Sequence, residues 1–102
     1  QGYPVYAFAD GYVARVKVSS GGFGRVIYLN HAGNLTTVYA HLREFCAPIK
    51  DSIEQIQNQK HQYEVEIFPK KDWLRVKKGQ LIGYFPSGVK PMGPEITGAI
   101  AK

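Results

Sequence analysis

The sequence predicts an all-β domain of antiparallel strands, a sheet or sandwich with one inserted amphipathic helix. Three observations carry that expectation. Tyr, Val and Ile recur in short alternating runs, which suit a pleated, half-buried surface. Gly (11) and Pro (6) favour a turn-rich β domain over a helical bundle. A single stretch, about 48–60, has helical periodicity.

The elements follow in order. "PVYAFADGYVARVKV" opens with a short apolar strand from Val5 to Ala9. Asp10-Gly11 is a turn signal, because glycine tolerates positive φ and aspartate bonds its own backbone. Tyr12 to Val18 is a second strand, and "SSGGFG" is a loop. "RVIYLN", "HAGN" and "LTTVYAHL" read as strand, turn and strand, a β-hairpin over 25–42. Alternation puts Thr37, Tyr39 and His41 on one face of the last strand. Val38, Ala40 and Leu42 take the more apolar face, so the core is expected on the side away from His41.

After Phe45 the pattern changes. Ile49, Ile53 and Ile56 are spaced by four and three, one stripe of an amphipathic helix from about Pro48 to Lys60. Pro48 suits the first helical turn. "YEVEIF" alternates as a strand, and "PKKDW" is a turn. "LRVKKGQLIGYF" reads as two extended pieces bent at Lys78-Gly79. The tail "PSGVKPMGPEITGAIAK" is a loop with at most one short strand, Glu95 to Ile100. No repeat or domain boundary is visible, so residues 1–102 read as one domain.

Composition narrows the class. A hydrophobic share of 44% in 102 residues allows a modest core. The net charge of +5 attracts nucleic acid, an anionic envelope or anionic lipid, and does not choose among them. No apolar run is long enough to span a membrane. The lone Cys46 has no partner for an internal disulfide, and reads as a small, partly buried hydrophobe.

The candidate chemistry is sparse. A catalytic zinc needs three protein ligands and an open position. His31, at an expected turn, His61, at an expected helix end, His41 and Cys46 are the candidates. None of the histidines forms a close i, i+2 or i+4 pair, so they read first as surface or hydrogen-bonded residues. "SSGGFG" has no Lys-Ser/Thr and opens no helix, which argues against a phosphate loop. "KKDWLRVKK" mixes cations with Trp73 but matches no nucleic-acid module, so it reads as a solvated basic turn and no nucleic-acid partner is expected.

Taken together, "PVYAFADGYV", "GFGRVIYLNHAGNLTTVYAHL" and "VKKGQLIGY" resemble the lysostaphin-type zinc endopeptidases of peptidoglycan. The resemblance runs from about Pro4 to Tyr84 and makes residues about 46–75 a helix-bearing insert like that of longer bacterial members. It implies a cell-wall metalloendopeptidase-like domain working outside the cytoplasm. "VKKGQLIG" alone also resembles lipoyl- and biotin-carrier domains, but the carrier's Lys between two Met is absent. In the endopeptidases a Tyr-x-His at a strand end lines the active groove, and its His polarises the reacting carbonyl. Tyr39-Ala40-His41 matches that motif, which implies a catalytic position for His41 and a groove-lining one for Tyr39.

The sequence departs from that pattern at the metal ligands. The family's His-x-x-x-Asp segment would lie just upstream of "PVYA" and is expected to be missing. After Gly-Pro the family has His-x-His, whereas Gly93-Pro94 here precedes Glu95 and Thr97. No cofactor is therefore expected in this chain, although zinc serves the family, and the domain is expected to be inactive. Such a domain implies peptidoglycan or a cell-wall hydrolase as partner. A non-catalytic module of the amidase-activator type on the same scaffold is the alternative. The abrupt change after Tyr84 reads as an altered reading frame or chain terminus.

Overall fold

The computed structural model describes residues 2–21 and 24–86, and the backbone of Glu95–Ile96. Among these lie nine strands and one helix: β1 (Tyr3–Tyr6), β2 (Gly11–Val18), β3 (Arg25–His31), β4 (Leu35–Leu42), β5 (Glu44–Phe45), α1 (Ile49–Lys60), β6 (Val65–Ile67), β7 (Arg75–Val76), β8 (Leu81–Phe85) and β9 (Glu95–Ile96). The strands form two antiparallel sheets. The smaller has the order β1-β8-β5, and the larger β6-β2-β3-β4-β9, with β7 also paired to β2. The expected all-β class with a single helix is what the described residues adopt.

The core is one cluster shared by both sheets and the helix. Val13, Val16, Ile27, Leu29 and Tyr39 come from the large sheet, Val5 and Ile82 from the small one, and Ile49 and Ile53 from α1. The expected isoleucine stripe therefore packs as its spacing requires, with Ile56 partly buried against the same cluster. Asp51 in the first turn and Lys60 in the last complement the helix dipole. His61 adopts φ 54° at the C-cap, and its N–H bonds the Gln57 carbonyl. That left-handed residue ends the helix where the sequence placed its end.

Several boundaries differ from expectation. β1 ends at Tyr6 rather than Ala9, because Ala7 turns its backbone to Gln80 and Gly79. β6 covers only the middle of "YEVEIF". The bend at Lys78-Gly79 is present, and Gly79 takes φ 84°, which favours glycine. Gly93-Pro94, Thr97 and Ile100 lie outside the described residues. No helix among the described residues is long and apolar enough to cross a membrane.

The loop after β2 is tied to the start of β6 by Glu64, whose carboxylate accepts from both the backbone N–H and the hydroxyl of Ser20. Those bonds, the hydroxyl's first, hold the Glu64 carboxyl below its ordinary value, with help from the Lys17 charge. A carboxyl lowered by folding adds stability above its unfolded pKa and loses it as pH falls through the folded value. Ser20→Ala should move the NMR titration midpoint of Glu64 upward toward the ordinary carboxylate range. An unmoved midpoint would contradict the assigned cause.

Candidate functional site

β4 carries the residues the sequence singled out, and its local geometry differs from simple alternation. Ile27 pairs with Tyr39 and Arg25 with Leu42, so Ala40 and His41 together stand opposite Val26. This is a β-bulge, one extra residue that re-aims the strand beyond it. His41 absorbs it with φ 60°. Thr37 and Tyr39 consequently face the core, at 0% and 1% exposure, while His41 is exposed. The expectation that Thr37 and Tyr39 share a polar face with His41 is corrected: the bulge separates them. The expected core face, that of Val38, Ala40 and Leu42, is corrected with it: Tyr39 and Leu42 join the core cluster, while Val38 is only half-buried.

The buried polar groups on β4 are held by a chain of hydrogen bonds. His31 Nδ1 lies 2.7 Å from the Asp10 carbonyl oxygen, and Nε2 lies 2.8 Å from Thr37 Oγ1. The hydroxyls of Thr37 and Tyr39 are 2.8 Å apart, and Phe8 N–H donates to the Tyr39 hydroxyl at 3.0 Å. A carbonyl only accepts, so Nδ1 carries a proton. In the neutral ring Nε2 then accepts from Thr37, which in turn accepts from Tyr39. His31 is the last residue of β3 and buried, a correction to its expected place in a turn. "HAGN" turns only after it, and Phe8 covers the ring edge-on at 6.2 Å.

Gly11 makes room for this arrangement. A Cβ there would meet the Asn30 carbonyl oxygen at 2.2 Å and His31 Nδ1 at 2.7 Å. The glycine serves close approach and not only the turn expected at Asp10-Gly11.

The other expected site residues are placed unevenly. β9 lies beside β4 with Glu95 opposite Val38, three residues from His41, or roughly 10 Å along the strand. The topology thus brings the Glu95 backbone next to the strand of Tyr39 and His41. Thr97 lies outside the described residues. His61 caps the helix at the far end of α1. Cys46 is half-buried, and its thiol is pushed up by burial first and then by the Glu44 charge, against a smaller pull from Lys50.

The resemblance implies a zinc ion at such a site. Among the described residues no group of three or more His, Cys, Asp or Glu could hold a metal ion. Both nitrogens of His31 are already engaged. The described residues do not fit a zinc ion.

A second feature was not anticipated. An open groove of about 540 Å³ lies at the other end of β4 from His41, lined in part by Tyr12, Asn30, Thr36, Lys71 and Arg75. Its floor is a row across three strands. Thr36 Oγ1 bonds Asn30 Oδ1 at 3.0 Å, and Asn30 Nδ2 bonds the Tyr12 hydroxyl at 3.2 Å. The register pairs Tyr12 with Asn30 and Asn30 with Thr36. The hairpin register was the available signal, since Asn30 and Thr36 flank "HAGNL" symmetrically.

The described residues form two antiparallel sheets, with a Tyr-x-His strand end on β4 and the short β9 paired beside that strand. The profile of peptidase family M23 matches residues 1–60, and the chain belongs to that family. The match includes Tyr39 and His41 and stops before Glu95. Over 42 residues the chain is 50% identical to a Haemophilus influenzae protein named an uncharacterized metalloprotease, covering 41% of this chain and 9% of that protein. Over 45 residues it is 47% identical to the DD-carboxypeptidase/endopeptidase Mpg of Neisseria meningitidis, covering 44% of this chain and 10% of that protein. A Neisseria gonorrhoeae protein of the same name matches equally. The chain thus spans about a tenth of the length of these relatives. No solved structure matches significantly.

Two substitutions test this geometry by urea unfolding. Gly11→Ala forces backbone apart and should cost about 1–3 kcal/mol; a wild-type midpoint would show that the close approach is absent. At His41, a β-branched side chain tolerates φ 60° poorly, so His41→Val should be less stable than His41→Gly by about 1–3 kcal/mol. Equal stabilities would argue against the bulge.

Proposed function

We propose that this chain is a peptidoglycan-directed domain of the M23 peptidase kind, working at the cell envelope outside the cytoplasm, and that it does not cleave peptide bonds in this form. The observation that carries the first part is the family match over residues 1–60. The name of the Neisseria relatives, DD-carboxypeptidase/endopeptidase, supports a cell-wall peptide as the target. The positive charge of the chain is compatible with an anionic envelope.

Glu95 and Thr97 support the second part, because they stand where the resemblance places two histidines. A zinc-bound water, with its pKa lowered to about 7, supplies the nucleophile in metallopeptidases. Threonine is a poor general base, and a carboxylate alone makes a weak zinc site. His41 is exposed and able to donate to a developing oxyanion. A donor of that kind lowers the barrier only where an activated nucleophile is also present, so His41 by itself marks a groove and does not run the reaction.

Protein purified under limiting metal should hold far less than one zinc per chain and release no fragments from peptidoglycan. It should still be retained by insoluble peptidoglycan in a pull-down. Stoichiometric zinc with chelator-sensitive cleavage would contradict the proposed inactivity. Loss of retention would contradict the envelope target.

A further inference from the structure

We infer that the groove floored by Tyr12, Asn30 and Thr36 is a binding site for the free carboxylate of a short peptide, with Lys71 and Arg75 as its cationic wall. The hydrogen-bond arithmetic of the floor leaves donors open to an acceptor. Thr36, Asn30 and Tyr12 together carry four polar hydrogens, one on each hydroxyl and two on the amide. The two bonds of the row use two of them. One hydroxyl hydrogen and one amide hydrogen are left over, and that result is the same if the Asn30 amide is turned end for end. All three residues are half-buried and sit in strands, which fixes the backbone that carries them.

The wall adds charge of the matching sign. Lys71 and Arg75 are exposed cations lining the groove. Arg75 is ion-paired with Asp72, but a guanidinium has five donor hydrogens and keeps others for a ligand. The one carboxylate among the described lining residues is Asp10, and its Oδ1 already accepts from Lys78 N–H at 2.8 Å. Neutral donors beside two cations match a carboxylate, which is acceptor-only.

The volume exceeds what a bare anion fills and lies in the range of small-ligand sites. The remaining space next to an amide and hydroxyls suits peptide groups. That the carboxylate is carried by a peptide rests on the envelope reading above; that it is a carboxylate rests on the groove. The site is five residues along β4 from His41, roughly 17 Å, so it would anchor a peptide end at a distance from that histidine.

The test is an NMR titration of the intact chain with acetyl-alanyl-alanine, its C-terminal amide, and acetate. The free dipeptide should shift the Tyr12, Asn30 and Thr36 amide signals. The amide form should bind at least about tenfold more weakly. Lys71→Gln/Arg75→Gln should weaken the dipeptide about tenfold while the rest of the spectrum stays folded, since both side chains are exposed. Equal binding of the amide form, or unchanged affinity in the double variant, would overturn the carboxylate site. Acetate binding as tightly as the dipeptide would overturn the peptide assignment. Failure of the peptidoglycan pull-down with dipeptide still bound would remove the envelope reading and leave the groove standing.

Discussion

A buried imidazole needs a partner for each ring nitrogen, and the neighbourhood of the candidate site is built around meeting that need. An unsatisfied buried polar group costs about 1–3 kcal/mol, a sizeable part of the stability of a small domain. His31 meets it with the Asp10 carbonyl on one side and Thr37 on the other. Thr37 then passes the requirement to Tyr39, and Tyr39 to the backbone of Phe8. Three pieces of chain are joined: the segment between β1 and β2, the end of β3, and β4 at two positions. Among the described residues no buried side-chain polar atom is left without a partner.

That chain explains why β4 carries polar residues inward. Thr37 and Tyr39 are buried because hydroxyls are what His31 and Phe8 require. Beyond Tyr39 the requirement is met, and the bulge at Ala40–His41 turns the histidine out to solvent while returning Leu42 to the core. Tyr39 and His41 of one Tyr-x-His motif thus have different tasks. Tyr39 secures the strand from within, and His41 is presented at the surface at the expense of a left-handed backbone. An αL conformation at a non-glycine position is of the kind kept where function sets the geometry.

Most of the fold was legible because its signals are local. Alternation located β2, β3 and β4, and the isoleucine spacing located α1 with its buried stripe. The bend at Gly79 followed from residue type. What escaped was non-local or a break in period. Alternation holds only while the ladder is regular, so a single extra residue at Ala40–His41 inverted the reading of Thr37 and Tyr39. His31 looked like a turn residue because "AGN" follows it, and its burial depends on Gly11 from another strand. The groove was invisible for the same reason: Tyr12, Asn30, Thr36, Lys71 and Arg75 meet only through strand register. The family resemblance rests on motifs from about Pro4 to Tyr84, and the match over residues 1–60 covers the first two of them and not "VKKGQLIGY".

The central claim is that a directed hydrogen-bond chain through His31 sets the strand that presents His41. Long-range proton–nitrogen correlation of the histidine side chains near neutral pH tests it most directly. His31 should show the Nδ1–H tautomer with a slowly exchanging ring proton. A His31 ring in the Nε2–H tautomer, or one whose ring proton is lost to rapid exchange with solvent, would contradict the account.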